Sequence, residues 1–307
     1  MRLGSLCTGY GGLDMAVEHH YGATTAWHAE IDKDCSEVLD HHWPGVPNLG
    51  DLTTVDWDQV EPVDVLCAGF PCQPFSTAGK REGANDERAI FAYIADAIGV
   101  LRPGIVVLEN VAGLLTLGGP GVVGTLAGLG YDLRWGLVRA SDAGAPHRRA
   151  RWFCIARSTD SSSERHGGRQ NGRGVGHLDG RDESQTRQRQ RPRPEPVDRS
   201  SEAPTNAGDL PRAGTVVGPL RPKPRNGHQG FSIYEPAIQG WADVVGRPAP
   251  NPLTTSGKLS SRFVEWMMGL DRHVCNLGLT RRAELRILGN GVCPQQAALA
   301  LRLLDER

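Results

Sequence analysis

The stretch RLGSLCTGYGGLD, residues 2–14, decides how this chain folds. Its first five residues are a short apolar run, and Gly9, Gly11 and Gly12 follow in a turn that leads into a segment of helical character. Glycines at such a turn let backbone approach a ligand closely, and the helix start supplies unpaired N–H groups. Packing is the alternative reason for them. The same beat recurs along the chain: residues 24–30, 63–69, 104–110 and 131–138 are further short apolar runs, separated by stretches that read as helix. That alternation predicts an α/β fold, a parallel sheet with helices on both faces. Ligands of such sheets bind at the carboxyl ends of the strands, which would gather Glu30, Cys72 and Glu109-Asn110 on one edge.

The 307 residues, 39% of them hydrophobic, are enough for a large domain with a smaller one beside it. No run of about 18 apolar residues occurs, and Met1 to Gly12 lacks the charged-then-apolar pattern of a secretory signal, so a cytoplasmic protein with no membrane partner is expected. Seven cysteines without a C-x-x-C pair predict reduced thiols and no metal site. An important cysteine is then catalytic rather than bridging. The net charge of -1 conceals an asymmetry: residues 157–230 hold 14 Lys/Arg against 9 Asp/Glu. A basic segment on an acidic body suits a polyanionic partner; a solvated linker is the alternative.

From Ser158 to Gly230 the pattern gives way to Arg, Gly, Ser, Pro, Gln and Asp, as in RQRQRPRPEP, a loop or disordered composition. Order signals resume at Phe231 with FSIYEPAIQGW and continue through RFVEWMMGL, Arg262 to Leu270. Ala283 to Leu304 contains a Gly-Asn-Gly turn followed by a helix opened by proline.

Three pieces carry chemistry. AEID ends the second run in Glu30, a position from which an acid can accept both hydroxyls of a ribose; a surface carboxylate is the alternative. GFPCQPFS, Gly69 to Ser76, sets Cys72 between prolines just past VDVLCAG, so its sulfur is held on a stiff loop instead of packed inside. IVVL is followed by Glu109, Asn110 and Val111.

With PCQ, the ENV triplet, HRRAR from His147 to Arg151 and GNGVCPQ from Gly289 to Gln295, taken with the N-terminal glycine turn, the chain resembles the DNA (cytosine-5) methyltransferases. The resemblance covers roughly residues 2–156 and 258–304. It implies a Rossmann-like S-adenosylmethionine-dependent methyltransferase fold with a small target-recognition region. It implies further that Cys72 is the nucleophile, that Glu109 protonates or strongly hydrogen-bonds N3 of the cytosine, and that Arg149 and Arg151 orient the base and nearby backbone, a phosphate contact being the alternative for either. Asn110 reads as a residue that holds the loop. For S-adenosylmethionine the resemblance implies Leu6, Gly9, Gly11 and Gly12 around the methionine portion, Glu30 on the ribose, Ile31 against the adenine, Asp51 on its amino group, and Asn290 and Val292 closing the pocket. Position 7 is Cys where the family usually has Phe, and position 147 is His where it has Gln.

The domains expected on this basis are a catalytic and cofactor-binding domain over residues 1–157, a target-recognition region over 158–257, and a segment over 258–307 that completes the catalytic domain. The partner is double-stranded DNA, with the target base flipped out because carbon 6 is reached only from the ring face. Ser76 to Arg88 reads as the loop that closes over that base, or as merely exposed. A monomer is expected, either paired with a companion restriction endonuclease or acting alone. A transfer RNA cytosine-5 methyltransferase and an inactive DNA-binding relative are the competing readings.

Overall fold

The computed structural model describes residues 1–71, 87–159 and 231–306, which fall in one compact unit. Cys72, the loop expected from Ser76 as far as residue 86, and the Arg-rich interval from residue 160 to 230 lie outside the described residues.

Among the described residues six strands form one sheet: β1 (Arg2–Leu6), β2 (Thr24–Ala29), β3 (Val65–Gly69), β4 (Ile105–Val111), β5 (Tyr131–Val138) and β6 (Arg151–Ser158), in the order β2-β1-β3-β4-β6-β5. The five expected runs are all strands. The helices are α1 (Gly12–Tyr21), α2 (Lys33–His42), α3 (Glu87–Leu101), α4 (Leu114–Leu117), α5 (Gly119–Gly128), α6 (Glu235–Val245), α7 (Ser261–Met267), α8 (Arg281–Asn290) and α9 (Pro294–Asp305).

The sheet is mixed, which corrects the expectation of a parallel one. β1 to β4 are mutually parallel, but β6 runs antiparallel to both β4 and β5. A parallel return needs a crossover of a dozen or more residues, usually a helix. The link between β5 and β6, residues 139–150, holds one 3₁₀ turn, Ala140–Ala143, and no α-helix to carry a crossover, and the chain doubles back instead. This reversal positions the site: it brings the first residue of β6, Arg151, to the edge where β4 ends, pairing it with Val111.

Strand side chains alternate between the two faces. Leu66, Ala68, Trp152 and Cys154 join Ile94 and Ile98 of α3 and Leu126 of α5 in one buried layer. Val65, Cys67, Phe153 and Ile155 pack with Leu13 and Val17 of α1 and Leu301 of α9 in the opposite one. A third cluster joins Tyr10 and Val38 to Trp241, Phe263, Trp266, Ile287 and Leu288, so the C-terminal helices cover the end of the sheet where the glycine turn lies. Among the described residues no helix is long and apolar enough to cross a membrane.

Candidate active site

A cavity of about 550 Å³ opens at the carboxyl ends of the parallel strands. Of the residues singled out in the sequence, it brings together Gly9, Glu30, Ile31, Asp51, Glu109, Arg151, Asn290 and Val292. Leu6 is fully buried in the core layer behind it.

The glycine turn is built for three different reasons. Gly9 takes a φ of +60 with open space where a Cβ would sit, and its amide donates to Glu30 Oε2 at 2.7 Å. Gly11 has a φ of +83, and a Cβ there would stand 2.4 Å from the Trp43 ring. At Gly12 a Cβ would lie 2.2 Å from the carbonyl oxygen of Val292. Gly9 therefore serves the cavity, while Gly11 and Gly12 allow α1 to dock on its neighbours. Cys7 also lines the cavity, in a left-handed conformation with φ 51, and burial pushes its thiol up to about 12.

Glu30 stands just past β2 with its carboxylate fixed from two directions: Oε1 accepts the Asp32 amide and Oε2 the Gly9 amide, each at 2.7 Å. Asn48 brackets its backbone, accepting from the Glu30 amide and donating to its carbonyl at 3.0 Å. Burial raises the carboxyl above its ordinary range, against the two amides. Beside it Ile31 is 73% exposed, an apolar side chain left bare at the cavity wall. Asp51 spends Oδ1 on the Thr53 amide at 2.9 Å and hydroxyl at 2.8 Å, an Asx turn that fixes the carboxylate.

At the other end Glu109 lies in β4, only 6% exposed, with Oε1 3.0 Å from Arg151 Nε. Burial raises its carboxyl to about 7, against the nearby charges of Arg151 and Arg149. Asn110 next to it donates to the Phe70 carbonyl at 3.0 Å and accepts the Val111 amide at 2.8 Å, tying β4 to the backbone that leads into Pro71.

Arg149 is placed differently from Arg151. Its Nη2 donates to the carbonyls of Gly289 at 2.9 Å and Gly291 at 2.5 Å, and the Arg149 carbonyl accepts from Gln296 Nε2 at 2.8 Å. It thus fastens the Gly-Asn-Gly loop to the start of β6. The same loop is held by Tyr10, whose hydroxyl donates to the Val292 carbonyl at 2.5 Å, and a Cβ at Gly291 would fall 1.9 Å from the Tyr10 ring. His147 donates from Nε2 to the Met267 carbonyl at 3.0 Å, an acceptor that fixes which nitrogen carries the proton.

Several functional residues were missed in the sequence. Arg286 of α8 lines the cavity and bridges Asp32, at 2.5 and 3.1 Å, and Asp34, at 2.6 Å, across its mouth. Asp14 also lines it, and neither carboxylate oxygen has a hydrogen-bond partner among the described residues. Burial raises Asp14 to about 7 and lowers its neighbour His28, 3.8 Å away, to about 4, so both are neutral between those values. An acid in the first turn of α1 was the only available signal, and it reads equally well as a solvated helix start.

Residues 1–213 match the family model described as C-5 cytosine-specific DNA methylase. The type II methyltransferase M.DsaV of Dactylococcopsis salina is 34% identical over 157 residues, 49% of this chain and 44% of that protein. A DNA N-6-adenine-methyltransferase of Escherichia phage P1 is 42% identical over 127 residues, 37% of this chain and 17% of that protein. The chain therefore spans no more than about half the length of the curated relatives it matches. Among solved structures, the Dnmt2 methyltransferase of S. pombe superposes with a TM-score of 0.59 at 16% identity, covering 100% of this chain and 98% of that one, which places the chain in the S-adenosylmethionine-dependent methyltransferase fold. With more than two thirds of its length matched by the family model, the chain belongs to the C-5 cytosine-specific DNA methylases.

Proposed function

We propose that the protein methylates carbon 5 of cytosine in double-stranded DNA, with Cys72 as nucleophile and Glu109 as the acid at N3. The observation that carries this reading is the Glu109 carboxyl: burial pushes it up, Arg151 at 3.0 Å pulls it down, and the balance near 7 leaves a group able to give and take back a proton at neutral pH. Carbon 5 of cytosine is too weak a nucleophile to react unaided. The Cys72 thiolate adds to carbon 6, forming an S–C bond as N3 takes the Glu109 proton, and carbon 5 becomes an enamine carbon. After methylation N3 returns its proton to Glu109, a water removes the proton from carbon 5, and the carbon–sulfur bond breaks to release Cys72.

S-adenosylmethionine bound in the cavity supplies the methyl as an electrophile. The residues present fit it: Glu30 is oriented by two amides for a ribose, bare Ile31 offers an adenine ring a surface to cover, and Asp51 has Oδ2, unshared among the described residues, for an amino group. Asn290 and Val292, held by Arg149 and Tyr10, close the opposite wall. In this reading target choice resides in residues 158–257, catalysis in 1–157 completed by 258–307, and the enzyme works in the cytoplasm with its DNA.

Incubating the full chain with labelled S-adenosylmethionine and either a mixed-sequence duplex or transfer RNA, then analysing nucleosides, tests the reading. Label in 5-methyldeoxycytidine is expected. Label confined to RNA, or to N6-methyldeoxyadenosine, would overturn it; an adenine amino group attacks a methyl directly and has no use for a thiolate.

A further inference from the structure

Away from the cavity just described, residues 247–276 enclose a second cleft of about 420 Å³. Arg247, Arg262 and Arg272 line it, with the rigid backbone of Pro248 and Pro250 as part of the wall. Two acids share the cleft and offset two of the three arginines, which leaves one positive charge in excess. Glu265 is buried and spends Oε1 on the amides of Val274, at 2.6 Å, and Cys275, at 3.0 Å. Asp271 is largely exposed and stands 3.5 Å from Arg247 Nη1, too long for a tight pair. Arg262 is held by a neutral partner, donating from Nη2 to Asn276 Oδ1 at 2.7 Å. Arg272 is exposed, with no partner for its guanidinium among the described residues.

The backbone here is strained on either side of the buried residues His273, Val274 and Cys275. Arg272 and Asn276 both have positive φ, 50 and 90, within one five-residue turn, at a cost of about 1 kcal/mol or more each. Glu265 grips the two amides between them and so maintains that turn. The turn sets Arg272 and Asn276 at the cleft in place of glycines, which would adopt the same φ freely. Preset guanidinium groups with a neutral or absent partner are suited to phosphate oxygens. The cleft also connects to the chemistry, because His147, which opens the HRRAR stretch, donates to the carbonyl of Met267, the neighbour of cleft residue Trp266.

We infer that this cleft seats backbone phosphates of the DNA duplex, with Arg262 and Arg272 as the contacting groups. The inference rests on the proposal that DNA is the substrate. It adds a fixed phosphate contact made by residues 262 and 272, besides any made by the Arg-rich interval.

Fluorescence anisotropy with a labelled duplex, across about 50 to 300 mM salt, tests it on the full chain. Each phosphate contact contributes roughly 0.9 to the slope of log affinity against log salt, so Arg272→Gln should weaken binding several-fold and lower the slope by about one. The pair Arg262→Gln/Arg272→Gln should lower it by about two. Affinity for S-adenosylmethionine should be unchanged in both. Unchanged duplex affinity and slope, an equal loss of cofactor binding, or a loss seen with transfer RNA and not with DNA would overturn the inference. A wild-type chain that binds no duplex at all would instead overturn the DNA reading beneath it.

Discussion

Arg151 and Glu109 meet as a diagonal pair across antiparallel strands: Arg151 is registered with Val111, two residues beyond Glu109, and Nε reaches Oε1 at 3.0 Å. Residues two apart on a strand share a face, so the register alone puts both side chains on one side of the sheet. Burial raises the Glu109 carboxyl and the pair with Arg151 pulls it back. Replacing Glu109 by Gln should lower the single-turnover methylation rate by about 10²- to 10⁴-fold, the usual worth of a positioned acid.

The pH dependence has a definite sign. Glu109 is raised from 4.5 to about 7, so its protonated, donating form is present below about pH 7 and is lost as pH rises through that value. Single-turnover rates measured against pH should therefore show a falling limb near 7 that is absent in Glu109→Gln. Arg151 lowers the carboxyl, so Arg151→Gln should move that limb to higher pH. A limb that stays in place in Arg151→Gln would show that it belongs to another group.

Glu30 should act on cofactor affinity and little on the chemical step. Glu30→Ala removes the acceptor of the Gly9 and Asp32 amides and the proposed ribose contacts together. Calorimetric titration with S-adenosylmethionine should register a loss of about 10- to 100-fold, the scale of hydrogen bonds to a charged group. Wild-type affinity in this variant would place the donor elsewhere.

Gly12 and Gly9 should differ sharply when each is changed to Ala. At Gly12 the new methyl collides with the Val292 carbonyl, a backbone atom fixed by Tyr10 and unable to step aside. A destabilisation of roughly 1–3 kcal/mol is expected, with weaker cofactor binding because Val292 lines the cavity. Gly9 has open space at that point, so Gly9→Ala should cost only the strain of its positive φ, about 1 kcal/mol. Thermal unfolding of the two variants gives the order, and the reverse order would refute this account of the turn.

Much of this arrangement was legible in the sequence, for identifiable reasons. Apolar runs of strand length separated by helix-length stretches gave five of the six strands, and polar residues closing such runs, Glu30 and Glu109, fell on the sheet edge. β6 is not among the expected runs: WFCIA follows directly on the arginines of HRRAR, and the strand begins inside that polar stretch, at Arg151. Strand direction is set by the connection and not by the run, so only the 12 residues between β5 and β6, lacking a helix, hinted at the reversal. The glycines were legible as special, but what forbids a side chain at Gly12 is Val292, 280 residues away. Arg286 and Tyr10 were silent for the same reason: their partners Asp32 and Val292 are brought near by the fold alone. Arg149 resembles a base-orienting arginine in sequence, while its contacts to Gly289 and Gly291, 140 and 142 residues away, could be seen only in the fold.

In the proposed reaction a transient covalent bond joins Cys72 to carbon 6 of a flipped cytosine. Fluorine at carbon 5 cannot leave as a proton does, so a duplex pool carrying 5-fluorocytosine in all short sequence contexts should arrest the reaction after methyl transfer. Denaturing electrophoresis should then show a protein–DNA adduct that requires S-adenosylmethionine, maps to Cys72 by peptide mass and disappears in Cys72→Ser. No adduct across the whole pool from protein that binds the cofactor, or an adduct on another residue, would contradict the account.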